Sequence, residues 1–121
     1  MSSNLPNNVP KNVKNIINDF VLETTKLLGK RLKIIYLYGS YARGDFRSDS
    51  DIDIMILTDA INEELEKISN EILYLKYDIE EKYNFDYYLS PLVKNINEFN
   101  YWLEALPFYM NIKNEGVLLN E

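Results

Sequence analysis

Two carboxylates lie two residues apart at the start of an otherwise apolar segment, Asp51-Ile52-Asp53-Ile54-Met55-Ile56-Leu57. Such a segment predicts a β-strand, in which side chains at positions i and i+2 point to the same face. Two like charges held this close raise each other's pKa unless a cation lies between them. Asp51 and Asp53 therefore predict a site for Mg²⁺ or Mn²⁺, which prefer oxygen ligands. The alternative is an exposed strand start, with Asp51 in a turn and Asp53 paired with an arginine.

Gly39 and Ser40 follow a second short apolar run, residues 32–38, which is typical of a buried strand. A glycine at a strand-to-helix junction allows a phosphate to approach the backbone. The N–H groups that open the following short helix would point at such an anion, and the Ser40 hydroxyl adds a donor. The alternative is a simple turn, with Ser40 as the cap of the helix.

The composition narrows the chemistry further. The chain has no cysteine and no histidine, which excludes thiol nucleophiles, thiolate zinc sites and histidine general bases. Any catalysis must therefore use carboxylates, hydroxyls, lysine, arginine or an oxygen-bound metal. The formal net charge of −6 disfavours a nucleic-acid substrate, because contacts to the phosphate backbone need a basic surface.

The length and the 46% content of hydrophobic residues predict a single domain over residues 11–121. Residues 1–10 are rich in Asn and Pro and predict a flexible N-terminal arm. No apolar run approaches the roughly 20 residues of a membrane span. The first residues also lack the basic and apolar regions of a signal peptide, so we expect a cytoplasmic protein.

Hydrophobic periodicity predicts a mixed α+β fold, in which helices cover a small mixed sheet of three or four strands. An apolar segment after Gly116 adds a possible terminal strand. The predicted helices are residues 11–28, a short helix after Gly39, 61–82, and 96–113 with an interruption at Pro107; the predicted strands are 32–38, 51–57 and 84–89.

The stretch from Gly39 to Ile54, GSYARGDFRSDSDIDI, resembles the signature of the DNA polymerase beta-like nucleotidyltransferases. That signature is Gly-Ser, ten residues, and then Asp-x-Asp, and the spacing is met without a gap. The Ala-Arg-Gly element at residues 42–44 and the step from Ser50 to Asp51 resemble the minimal nucleotidyltransferase branch of this superfamily. The resemblance implies a polymerase beta-like fold, and the order of elements agrees with it over most of the chain.

The resemblance also implies a third acidic metal ligand from a neighbouring strand. Asp86 is the candidate, because it lies within the predicted strand 84–89; the alternative is a surface aspartate on an edge strand. Carboxylates of the preceding helix, such as Glu80, are interpreted as part of a solvated face. With ATP as substrate, Asp51, Asp53 and Asp86 would hold one or two Mg²⁺ ions.

The same resemblance assigns the triphosphate to the Gly39-Ser40 element and places Ser50 within the nucleotide-binding signature. Arg43 and Arg47 are candidates for contacts with phosphate oxygens, since guanidinium matches phosphate geometry. Arg43 could instead pair with Asp51 or Asp45 as a structural brace. In the implied reaction an acceptor oxygen attacks the α-phosphorus and pyrophosphate leaves.

Minimal nucleotidyltransferases of this size often act with a helical partner of the HEPN type, an RNase toxin. The first hypothesis is therefore an antitoxin that transfers AMP to a tyrosine hydroxyl of this partner. The second is an antitoxin or assembly subunit that acts by binding alone, through the aromatic-rich residues 101–110. The third is nucleotidyl transfer to a small hydroxylated molecule. The base preference and the oligomeric state stay open.

Overall fold

Helices and strands alternate along residues 5–120, which the computed structural model describes. The helices are α1 (Lys11–Leu28), α2 (Ser40–Arg43), α3 (Asn62–Lys82), α4 (Ile96–Trp102) and α5 (Pro107–Glu115), with a 3₁₀ turn at Gly29–Arg31. The strands are β1 (Leu32–Tyr38), β2 (Ile52–Thr58), β3 (Leu89–Asn95) and β4 (Val117–Leu118). They form one sheet in the order β3-β2-β1-β4, in which β2 and β3 are parallel and the other pairs antiparallel. The predicted mixed α+β fold is confirmed.

Both faces of β2 are covered by helices. Ile52, Ile54 and Ile56 belong to a core with α1 and α3, whereas Met55 and Leu57 pack on the other face against α4 and α5. Burial on both faces explains why this strand is almost continuously apolar. Because side chains alternate along a strand, Asp53 shares the α4–α5 face with Met55 and Leu57, and Asp51 immediately precedes the strand.

The third strand differs from the prediction. β3 spans Leu89–Asn95 rather than 84–89, and the preceding residues form a turn. Asn84 and Phe85 have φ of 58° and 56°, a left-handed conformation that a strand cannot contain. Pro91 lies inside β3. An edge strand tolerates proline because its missing N–H can face away from the ladder.

Two polar side chains hold β3 at its ends. Glu80, only 2% exposed, accepts a hydrogen bond of 2.7 Å from the Leu89 N–H and pairs with Lys76 at 2.9 Å. The interpretation of Glu80 as solvated is therefore wrong. Asn95 accepts from the Glu98 N–H at 3.0 Å and donates to a carbonyl of the loop that follows β2. These bonds fix where β3 begins and ends.

Asp19, in the middle of α1, links this helix to the C-terminal end of α3. Its carboxylate accepts hydrogen bonds from Lys82 Nζ at 2.9 Å and from the Tyr83 hydroxyl at 2.6 Å. Partial burial acts to raise the pKa of Asp19, but the hydrogen bonds from Lys82 and Tyr83 outweigh it and hold this pKa below its usual value.

The N-terminal segment packs on the core, so the expectation of a flexible arm is wrong for residues 5–10. Leu5 and Val9 are 9% and 4% exposed and join the core on the α1–α3 face. Asn8 donates a hydrogen bond of 2.9 Å to the Gly44 carbonyl, immediately after α2. Residues 1–4 of the predicted arm lie outside the described residues.

The C-terminal region completes the sheet. Pro107 begins α5 rather than interrupting a longer helix, as is usual for proline in the first helical turn. Beyond β4, the Asn120 side chain accepts from the Ile35 N–H at 2.7 Å and donates to the Lys33 carbonyl at 3.2 Å. In residues 5–120 no helix is both long enough and apolar enough to cross a bilayer.

Candidate active site at the start of the second strand

The two aspartates lie at the edge of the sheet where β1 ends and β3 begins. Asp51 immediately precedes β2 and is exposed, while Asp53 is half-buried. The register places Asp53 between Tyr38 of β1 and Ser90 of β3. Directly paired residues point to the same face of a sheet, so Tyr38, Asp53 and Ser90 form one row of side chains on the α4–α5 face.

The electrostatics of this row favour a bound cation. Burial raises the pKa of Asp53, the charge of Asp51 raises it further, and Arg43 acts weakly in the opposite direction. Burial and the charge of Asp53 raise the pKa of Tyr38 to about 12, so this phenol stays neutral at ordinary pH. Among the ion pairs of residues 5–120, none includes Asp51 or Asp53. The alternative of an arginine-paired Asp53 is therefore wrong.

Gly39 is required by the position of Asp53. Its φ of 76° and ψ of −156° fall in a region that is essentially restricted to glycine. A Cβ at this position would overlap the Asp53 carboxylate. Gly39 is also the residue before α2, whereas Ser40 is its first residue and makes no capping hydrogen bond. The alternative of Ser40 as a helix cap is thus wrong.

Two other predicted nucleotide contacts make structural bonds. Arg43 Nε donates to Asp45 Oδ2 at 3.2 Å, and its guanidinium lies 3.6 Å from a carboxylate oxygen of Glu115 in α5. The brace between Arg43 and Asp45 is confirmed. Ser50 Oγ accepts a hydrogen bond of 2.8 Å from the Arg47 N–H and so closes the loop before β2.

The structure does not bring Asp86 to the other two aspartates. Asp86 is exposed in the turn before β3, and residues 5–120 contain no group of three acidic, histidine or cysteine side chains that could hold a metal. The expected three-carboxylate site is thus not assembled among these residues. The left-handed turn at residues 84–85 displaces Asp86 from the strand. Asp86 instead lines a cavity of about 480 Å³ with Arg47 and Tyr87.

A smaller cavity of about 240 Å³ lies between the row of side chains and α5. Its volume is below the roughly 300–1,000 Å³ of a site that encloses a small ligand, so it is too small to enclose a whole nucleotide. Sequence reasoning did not predict that α5 lines this cavity, because α5 is distant from Gly39 and Asp53 along the chain. The cavity is lined by Tyr38, Gly39, Arg43, Asp53, Phe108, Asn111, Ile112 and Glu115.

The donor set fits a divalent cation that is shared with phosphate. Mg²⁺ is usually bound by one or two carboxylates, with substrate phosphates and waters at its remaining positions. Asp51 and Asp53 supply two carboxylates, which are close enough that the charge of Asp51 raises the pKa of Asp53. These two residues would hold Mg²⁺ or Mn²⁺ together with a triphosphate.

The chain is similar to known nucleotidyltransferases. The family model described as "Nucleotidyltransferase domain" matches residues 14–119. "Putative protein adenylyltransferase MJ0604" of Methanocaldococcus jannaschii is 32% identical over 108 residues, which cover 89% of this chain and 98% of that protein. A "putative nucleotidyltransferase from Sulfolobus solfataricus" has a similar fold, with a TM-score of 0.50, 18% identity and coverage of 93% and 90%. A chain of a toxin-antitoxin crystal structure with AMP-PNP gives a TM-score of 0.49, 19% identity and coverage of 86% and 72%.

Proposed function

The chain belongs to the nucleotidyltransferase domain family, and from this premise we propose that it transfers AMP from ATP to a hydroxyl group of a partner protein. The observation that carries the proposal is the pair Asp51 and Asp53 at the start of β2, beside a glycine that admits the Asp53 carboxylate. Adenylyl transfer to a protein is supported by the description of MJ0604 as a protein adenylyltransferase.

In the proposed reaction the acceptor oxygen attacks the α-phosphorus of ATP. The bond from the α-phosphorus to the bridging oxygen breaks, pyrophosphate leaves with the electron pair, and the acceptor proton passes to water. A divalent cation, when bound, supplies charge neutralisation on the triphosphate. Asp51 and Asp53 would hold that cation, and the backbone at Gly39 and Ser40 would bind phosphate oxygens.

Several neighbouring groups position this machinery. Arg43 pairs with Asp45 and with Glu115 of α5, so it presents a positive charge beside the Asp53 cavity. Ser50 shapes the loop that leads into Asp51. Preorganised charges of this kind stabilise a transition state without a reorganisation cost during the reaction.

The proposed acceptor is a tyrosine hydroxyl on a helical HEPN-type toxin, and the chain would act as its antitoxin. This identity rests on the resemblance of the Gly39–Ile54 signature to minimal nucleotidyltransferases. A surface on α4 and α5 suits protein recognition, because Tyr101, Trp102 and Phe108 are 77%, 43% and 47% exposed and aromatic residues are enriched at interfaces. Phe108 also lines the Asp53 cavity, so a partner bound there would lie beside the reacting phosphate.

A second candidate is an antitoxin that acts by binding alone. The observation in its favour is the same exposed aromatic surface on α4 and α5, together with the absence of Asp86 from the Asp51–Asp53 pair in the described residues. In that case the two aspartates would be dispensable for neutralisation of the toxin.

Transfer of label separates the two candidates. The full chain is incubated with α-³²P-ATP, Mg²⁺ and its partner, and the labelled partner is measured. We expect Asp51→Asn and Asp53→Asn each to reduce labelling by about 100-fold or more. Asp49→Asn, which removes the same charge from the exposed loop, should leave it unchanged. Absence of label with every NTP, with neutralisation intact in both aspartate variants, would instead establish the binding-only function.

A further inference from the structure

The strand beside the two aspartates contains no acidic residue. β3 reads Leu-Ser-Pro-Leu-Val-Lys-Asn, and its register places Ser90 directly opposite Asp53. Neighbouring strands are about 4.8 Å apart, so Ser90 is the β3 side chain nearest to the Asp53 position on the α4–α5 face. The next residue toward Asp51 on that face is Tyr88, whose carbonyl accepts a hydrogen bond from the Ile52 N–H at 2.9 Å.

A second divalent cation would need its own anionic ligand. In sites with two metal ions the ions lie about 3.5–4 Å apart, and each is held by carboxylates that the protein directs to one face. On the two strands that flank Asp53, the structure offers only the hydroxyls of Tyr38 and Ser90 in the same row. Neutral hydroxyls are weak substitutes for a carboxylate, since hard cations are held mainly by charge.

Glu115 lines the Asp53 cavity but is paired with Arg43 at 3.6 Å. Two other nearby carboxylates are held elsewhere. Glu80 is buried against the start of β3, where it bonds to the Leu89 N–H and to Lys76. Asp86 lies in the exposed turn and lines the separate 480 Å³ cavity. Within residues 5–120, neither joins Asp51 and Asp53 in a metal-binding group.

We propose that this chain binds its nucleotide with one divalent cation, held by Asp51 and Asp53, and that Ser90 occupies the position from which a carboxylate of β3 would hold a second. The inference rests on the proposed function, since it concerns the same site. A single cation also restricts the class of hydroxyl that can act as acceptor. Without a second cation to ionise the acceptor, a phenolic hydroxyl, with a pKa near 10, is a better nucleophile than an aliphatic hydroxyl, which is far harder to deprotonate.

The number of bound Mn²⁺ ions tests the proposal without a measurement of activity. The full chain is saturated with α,β-methylene-ATP, which cannot release pyrophosphate, and bound Mn²⁺ is counted by the loss of the free-ion EPR signal. We expect one Mn²⁺ per chain in the unchanged protein and in Ser90→Ala. Ser90→Asp should bind two, because it adds a carboxylate next to Asp53. Ser48→Asp adds the same charge to the exposed loop and should still bind one.

Two Mn²⁺ ions in the unchanged protein would overturn the proposal, and a decrease to one in Asp86→Asn would then identify Asp86 as a ligand of the second ion. One ion in a folded Ser90→Asp variant would overturn the assignment of Ser90 to the ligand position. If Ser90→Asp does not fold, the number of Mn²⁺ ions bound by the unchanged protein and by Asp86→Asn still tests the proposal. Failure of the unchanged chain to bind the nucleotide with Mn²⁺ would overturn the proposed function itself, which distinguishes that result from a two-ion site.

Discussion

Replacement of Gly39 by alanine should destabilise the protein and displace Asp53 at the same time. The backbone at Gly39 has φ of 76° and ψ of −156°, and another residue in this region costs about 1–3 kcal/mol. The new Cβ would overlap the Asp53 carboxylate, so that side chain must leave its rotamer at a further cost of about 0.5–1.5 kcal/mol. We therefore expect the free energy of unfolding to fall by about 2–4 kcal/mol.

Two comparisons separate backbone strain from the overlap. Gly29 also has a positive φ, 54°, but a Cβ there meets no heavy atom within 4 Å. Gly29→Ala should therefore show the strain alone. In an Asp53→Ala background, Gly39→Ala should cost about 0.5–1.5 kcal/mol less than in the unchanged protein, because the overlapping carboxylate is gone.

Urea unfolding followed by circular dichroism measures these free energies for each single variant and for the double variant. Titration calorimetry with Mn²⁺ and α,β-methylene-ATP measures nucleotide affinity. Gly39→Ala should weaken binding at least about tenfold, a loss of about 1.4 kcal/mol, whereas Gly29→Ala should not. An equal cost of Gly39→Ala in both Asp53 backgrounds, with unchanged affinity, would refute the claim that Gly39 exists to admit the carboxylate.

Three further predictions concern the fold around the site. Glu80→Ala should lower the free energy of unfolding by about 3–5 kcal/mol, because it leaves the Leu89 N–H and a partly buried lysine without a partner. Urea unfolding that shows a loss below about 1 kcal/mol would contradict this role. The lowered pKa of Asp19 means that its stabilisation is present above its usual pKa and is lost as the pH falls through the lowered value. The difference in unfolding free energy between the unchanged protein and Asp19→Asn should thus be constant near neutral pH and shrink in acid, and a constant difference down to pH 2 would contradict it. Asn120→Ala should cost about 1–3 kcal/mol by leaving the Ile35 N–H unpaired, and hydrogen exchange at that amide should accelerate; unchanged exchange would show that the side chain contributes nothing there.

Local patterns predicted the parts of the fold that local interactions determine. Helix α1 and strand β1 have the predicted bounds, and β2 is shifted by one residue. In each, apolar spacing alone indicates the element and its buried face. Gly39 and Asp53 were also identified from a local pattern, the fixed spacing of the signature. The antiparallel pairing of β1 and β2 then brings these two positions together.

The rest of the site depends on contacts between distant segments. The position of Ser90 follows from the register of β3, which a bond from Glu80 fixes; a charged helical residue is ordinarily exposed. Asp86 was predicted to lie in a strand because the aromatic residues around it favour strands. The left-handed turn at residues 84–85 instead prevents a strand from forming there. Phe108 lines the Asp53 cavity because α5 folds against β1, a contact that local sequence patterns do not indicate.

The two outer strands of the sheet also determine how the protein can associate with others. β3 carries Pro91 and Lys94 on one edge, and β4 on the other edge has only two residues. Proline, lysine and short length are the features by which natural sheets prevent edge-to-edge aggregation. Neither edge is a suitable template for an added strand, a common way to capture an extended peptide. Recognition of another chain must therefore depend on side chains of the helices and loops, and we expect concentrated solutions to resist fibril formation.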